Sequence, residues 1–260
     1  MMNIDIEKNY AIFKKWVSEF VLLGSPATFL KWLDTTDFKV APASTKYHLN
    51  VEGGLCQHSL NVFKRLIKIM KDEYGDESNW AYGRDVIAMV GLLHGISKVG
   101  LYRKYSKNVR NDETGQWETA VAYTVVDDDK RLVVGNYSDN TLFILRHFFN
   151  IPEDAEIALR YYRGAFDADD WDEKNELSLA IAKCPLSLLL HIAELQSTYI
   201  DENDKTFNWV YDIGRFFKED AEQQVREQVH ENNTGGGEAD VKTGESDTEA
   251  TIRAVHEAPF

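Results

Sequence analysis

Two helical stripes each carry a histidine on their apolar side, and this constrains the chain more than any other feature. Leu55, His58, Val62 and Leu66 follow one another at steps of three or four residues, which places them on one face of an α-helix. Ile87, Val90 and His94 repeat the pattern thirty-six residues further on. A single histidine on such a face is usually a hydrogen-bonded core residue. Two of them, one behind the turn-forming pair Gly53-Gly54, point to helices that converge on a shared pocket.

The rest of the chain reads as further helices around that pair. Ile6, Tyr10, Phe13, Val17 and Phe20 predict an amphipathic helix over residues 4–23. Ser25-Pro26 predicts a capped start for a short helix through Leu33. A loop over 35–52 leads to a helix ending near Glu73, and Arg84–Lys98 is expected as the next one. Val109, Trp117, Val121, Tyr123, Val125 and Val126 are strand formers, with Glu113-Thr114-Gly115 as the turn of a small hairpin within about 105–133. Ser138 is expected to cap a helix through Asn150, and Ile151-Pro152 to break it before a helix from Glu153 to Gly164. Residues 167–174 read as an acidic loop. A long helical stretch over 176–200 should bend or restart at Pro185. Trp209, Val210, Ile213, Phe216 and Phe217 suggest one more packing element.

Charge and composition bound the function. The chain has 260 residues, 43% of them hydrophobic, enough for a sizeable core. The net charge of −14 argues against a general nucleic-acid binder. Half of that excess lies in residues 218–260, where eleven acidic residues face four basic ones around Gly235-Gly236-Gly237, the composition expected of a disordered acidic tail. The tail ends in Pro259-Phe260, similar to the tip of bacterial single-strand-binding proteins, which suggests a protein partner. No apolar run approaches the ~18 residues of a membrane span, and the start lacks the pattern of a secretion signal. Cys56 and Cys184 stand alone and read as reduced, buried side chains. The expected setting is cytoplasmic, without membrane contact.

Tyr47-His48, Gly53-Gly54-Leu55, His58-Ser59-Leu60-Asn61-Val62 and Leu92-Leu93-His94 with Lys98 resemble motifs of the HD-domain superfamily of metal-dependent phosphohydrolases, in its bacterial and phage branch. The resemblance covers about residues 40–200. It implies an all-α helical bundle with the hairpin as an insert, an N-terminal helical segment over 1–39, an HD-like domain over 40–217 and the tail beyond. It also implies histidines and carboxylates around one or two divalent metals, which activate water for phosphate-ester hydrolysis.

The chain departs from that pattern at four places. Gly95 stands where the motif has Asp, Asn136 and Tyr162 where it has His, and Glu194 where it has Asp. The metal set carried over is therefore His58, His94 and Glu194, enough for one Zn or Mn ion and not for two. Lys98 and His48 would be the catalytic groups of an active protein, and Arg160 and Arg163 would contact phosphate. His191, three residues before Glu194, could share its face, whereas His147 reads as structural. Trp117 and Trp171 read as packing residues. The leading expectation is a pseudoenzyme, an impaired HD-domain protein without stoichiometric metal that binds a phosphorylated, nucleotide-like ligand or a protein. The alternative is a weak mononuclear phosphohydrolase.

Overall fold

The computed structural model describes residues 4–111, 114–167 and 170–202. The chain divides into two units, Met1–Gly75 with Asn79–Phe207, and Asp76–Ser78 with Asn208–Phe260. The first holds all the features that follow. The expectations for residues 209–217 and for the acidic tail lie outside the described residues.

Eight α-helices and one hairpin make up the described part. They are α1 (Ile6–Phe20), α2 (Pro26–Leu33), α3 (Gly54–Tyr74), α4 (Arg84–Leu93), α5 (Tyr137–Leu145), α6 (Glu153–Tyr161), α7 (Trp171–Lys183) and α8 (Leu186–Gln196). Strands β1 (Tyr102–Arg110) and β2 (Trp117–Val125) pair antiparallel between α4 and α5. The fold is helix-dominated, with this ribbon as its only sheet among the described residues.

Helix α3 is the centre of the bundle and packs on α1, α4 and α8. It buries Leu55, Val62, Phe63, Leu66 and Met70 completely, the burial expected of a core helix. Two glycines bring the chain close enough to do so. Gly54 begins the helix where a Cβ would lie 2.1 Å from the Leu49 carbonyl oxygen, and Gly53 before it takes the left-handed φ of 78°. On α4, a Cβ at Gly91 would lie 2.9 Å from Phe63 Cδ2 and 3.1 Å from its Cα. The bare Gly91 backbone therefore packs directly on α3, one turn before His94.

Several boundaries differ from expectation, each for a local reason. Helix α4 stops at Leu93, with His94 as its C-cap, and Ile96–Lys98 continues as a 3₁₀ turn. Asn136, not Ser138, caps α5: its side chain accepts from the Asp139 N–H, and the helix ends at Leu145. The acidic stretch expected as a loop to residue 174 is helical from Trp171. Asp170 and Glu173 form a capping box there, each side chain accepting from the other's backbone. Pro185 marks the expected break, and α7 meets the helical stretch Leu186–Asp201 at 106°. Trp117 and Trp171 are surface residues, 72% and 74% exposed, because the ribbon and the start of α7 lie against little else. Cys56 and Cys184 are free and buried. No single helix among the described residues is long and apolar enough to cross a membrane.

Candidate metal centre

His58 on α3 and His94 at the end of α4 meet in the core, 0% and 1% exposed, with their Nε2 atoms 3.2 Å apart. Each ring is oriented from its other nitrogen. His94 Nδ1–H donates to the Gly91 carbonyl at 2.9 Å, a residue whose backbone is held against Phe63. His58 Nδ1 faces the carboxylate of Glu202, 2.9 Å from Oε1 and 3.1 Å from Oε2. Acceptors at both Nδ1 atoms assign the protons there and leave a lone pair on each Nε2. Two lone pairs at 3.2 Å repel each other unless a cation lies between them. A proton on His58 would suffice, pairing an imidazolium with Glu202. A metal ion would serve as well.

Glu202 comes from a turn that an α-helical register would misplace. Beyond α8 the chain widens into a π-turn, Ser197–Asp201, and the Glu202 N–H donates to the Ser197 carbonyl at 2.9 Å. Such turns often occur at functional sites. Arg65 on α3 clamps the neighbouring Asp201 through Nε at 2.6 Å and through Nη2. Glu202 then receives His58, the Nδ1 of His48 and the Asn61 Nδ2 at 3.0 Å. Behind Asn61 runs a relay of side-chain amides. Gln57 donates to Asn61 at 2.7 Å, and Asn9 on α1 donates to Gln57 at 2.6 Å.

Burial alone would raise the Glu202 pKa. The charge on His58 and the hydrogen bonds from His48 and His58 outweigh it and hold the carboxyl well below its usual range. Burial lowers His94 furthest, helped by the nearby His58 and Lys98 charges. Burial also lowers His48, against the pull of Glu202. These shifts keep His94 neutral and Glu202 ionised at neutral pH, the states in which both ligate metal.

The remaining positions singled out from sequence are spread around this centre. His48 lies on the 35–52 loop and stacks edge-on at 4.6 Å against His58, with its backbone held by the Ser44 hydroxyl. Lys98 is half-buried and donates from Nζ to the Ala43 carbonyl at 2.9 Å. Glu194 accepts from the Thr198 hydroxyl at 3.5 Å and acts electrostatically on Lys98 and Tyr162. The carboxylate against the histidines is Glu202, eight residues on. Tyr162 packs edge-on at 5.3 Å against His94, and burial pushes its phenol far above the usual range. A Cβ at Gly95 would meet Leu55 Cδ1 at 3.3 Å. Asn136 is spent on capping α5. Arg160 pairs with Asp139 at 3.2 Å, and Arg163 with Asp167 at 2.7 Å. His191 receives no cluster partner; its Nδ1–H donates to the Tyr162 carbonyl at 2.6 Å. His147 Nδ1–H likewise donates to the Phe143 carbonyl at 2.8 Å.

Two donor sets fit a divalent ion. One is His48, His58 and Glu202, whose ligand atoms lie within 4.8 Å of one another. The other is the facing Nε2 pair of His58 and His94. Nitrogens bonded to one tetrahedral ion at ~2.05 Å lie about 3.3 Å apart, close to the observed 3.2 Å. In that arrangement Glu202 is the carboxylate that orients a ligating histidine from behind.

No protein-family model matches the chain, and no solved structure matches it. A dihydroneopterin 2′,3′-cyclic phosphate phosphodiesterase of Methanocaldococcus jannaschii is 38% identical to it over 89 residues, 33% of this chain and 34% of that protein. The chain thus spans about a third of the length of the curated relative it matches.

Proposed function

We propose that this chain is a phosphohydrolase-like protein of the HD type, with a one-metal centre at His58 and His94 that acts slowly on a phosphorylated, nucleotide-like compound. The observation that carries this reading is the Nε2 pair, 3.2 Å apart with both Nδ1 atoms committed to acceptors. The partial likeness to a cyclic phosphate phosphodiesterase supports the reaction class. A divalent ion bound there supplies Lewis acidity toward a phosphoryl oxygen and lowers the pKa of bound water.

The chain's own residues do the holding. Glu202 fixes the tautomer of His58, and the Gly91 carbonyl fixes that of His94. The Arg65–Asp201 clamp and the amide relay keep Glu202 in place. Three of the four departures support one ion rather than two. Leu55 packs against Gly95, Asn136 caps a helix, and Tyr162 keeps its proton at neutral pH. The third ligand is drawn from Glu194 or His48.

A second reading, binding without turnover, is favoured by the enclosure of His58 and His94, since a reacting phosphate needs an approach to the ion. Elemental analysis of the purified protein after zinc or manganese loading, alongside hydrolysis of a 2′,3′-cyclic nucleotide, tests both. About one ion per chain is expected, with ion and hydrolysis both lost in His58→Ala. A full complement of ion with no hydrolysis selects the second reading. A wild-type chain that takes up no ion overturns the metal centre itself.

A further inference from the structure

Away from the histidines, a pocket of ≈ 280 Å³ opens between the segment after the hairpin, the start of α5 and the turn after α6. Its size is at the small end of ligand sites. Its walls combine Leu132 and Val133 with Ser97, Asn140, Arg131 and Arg163. An adjoining pocket of ≈ 150 Å³ shares Asn136, Arg163 and Asp167 with it and adds Ser138 and Arg160.

Five buried side-chain atoms among the described residues lack a hydrogen-bond partner: the hydroxyls of Ser59, Ser97, Ser138 and Ser197, and Arg131 Nε. Three of them, on Ser97, Arg131 and Ser138, belong to residues lining these two pockets. A buried polar group without a partner is costly, so such groups gather where something else completes them. Ser97 is 6% and Ser138 3% exposed, so bulk water does not satisfy them.

The charge in the larger pocket has the sign of an anion site. Its charged residues are Arg131, Arg163 and Asp167, a net positive wall in a chain of net charge −14. Arg131 is positioned from outside the cavity and Arg163 by residues of its own lining. Arg131 pairs with Asp128 at 2.8 Å, and Arg163 lies 5.0 Å from the Tyr137 ring centroid with its Nε on Asp167. Arg131 Nε is an obligate donor, and Arg163 can only donate. The Asp167 carboxylate opposes an anion and would share Arg163 with it.

We infer that this pocket holds the phosphate of a small organic phosphate monoester of nucleoside monophosphate size, with Ser97, Arg131 and Arg163 as donors and Leu132 and Val133 against its organic part. Donors from three separate segments suit a tetrahedral group with three terminal oxygens better than a planar carboxylate. The choice of phosphate rests on the proposed phosphohydrolase-like function; the pocket does not.

Calorimetric titration of the full chain with adenosine 5′-monophosphate, inorganic phosphate and succinate tests this, with chelator present so that the histidine centre plays no part. The monophosphate is expected to bind most tightly, inorganic phosphate more weakly and succinate least. Leu132→Trp, at a residue 54% exposed and outside the core, should weaken monophosphate binding at least tenfold by filling the cavity. Ser97→Ala should weaken it too while leaving the melting temperature equal or higher, because it removes an unpartnered hydroxyl. His58→Ala should bind the monophosphate as wild type does. No binding of either phosphate at millimolar concentration overturns the proposal. So does unchanged affinity in Leu132→Trp, or loss of binding in His58→Ala instead. Succinate binding as tightly as the monophosphate overturns the assignment to phosphate. Monophosphate binding by a chain that takes up no metal would uphold the pocket and remove the metal centre.

Discussion

Glu202 carries more of the candidate site than any residue singled out from sequence. Its carboxylate is completely enclosed and receives His48, His58 and Asn61. Its folded pKa lies below the ordinary glutamate value of 4.5, so its contribution to stability is present above that value and is lost as pH falls through the lower folded pKa. Glu202→Gln, which resembles the protonated acid, should therefore cost ~3 kcal/mol at pH 7, the loss expected for one partner of a buried ion pair. The gap from wild type should narrow as pH drops below ~4.5, since the unfolded wild-type chain then takes up a proton at Glu202 that the folded chain still excludes. Urea melts of both proteins at a series of pH values measure this. A gap that stays constant into acid would show that the charge contributes nothing. His58 and His94 were legible in the sequence because each sits in a run of apolar residues at helical spacing. Glu202 was not, because it lies past the apolar pattern of α8 and reaches the site only through a five-residue π-turn.

The helices differ in how firmly the bundle holds them. Helix α3 buries thirteen of its residues, whereas α7 buries Ala180 alone. What begins α7 is its capping box, in which the Asp170 side chain accepts from the Glu173 N–H at 2.9 Å and Glu173 returns a bond at 3.2 Å. Sparse burial makes the helix a local opening unit, so its amides should exchange with solvent well before those of α3. Asp170→Ala should speed exchange along the first turns of α7 about fivefold, the equivalent of the ~1 kcal/mol of a lost N-cap. Hydrogen exchange read by mass spectrometry checks this, and metal uptake at the histidines should stay the same. The acidic run at the start of α7 resembled a loop because its charges mask the capping signal. Asn136 was likewise overlooked as a cap because it stood where a functional residue was expected.

At the scale of the molecule, a ligand bound only by the folded state adds to stability by mass action. An ion held between α3 and α4 at a hundredfold excess over its dissociation constant should add about 2.7 kcal/mol. The melting temperature should rise with zinc or manganese in wild type and stay flat in His58→Ala, a comparison that scanning calorimetry makes directly. The helix-dominated plan was legible in the sequence, since apolar spacing of three and four residues, Pro185 and the Gly53-Gly54 pair are local signals. So was the approach of His58 and His94, because both lie on buried faces. Tertiary structure alone decided what stands behind them. A carboxylate 144 residues from His58 in the chain completes its hydrogen bonding. The bare backbone of Gly91 against Phe63 sets the helix separation on which the two rings meet. Periodicity reports which side of an element is buried. It holds no record of which distant group will share that burial, and the charge of this centre depends on that group.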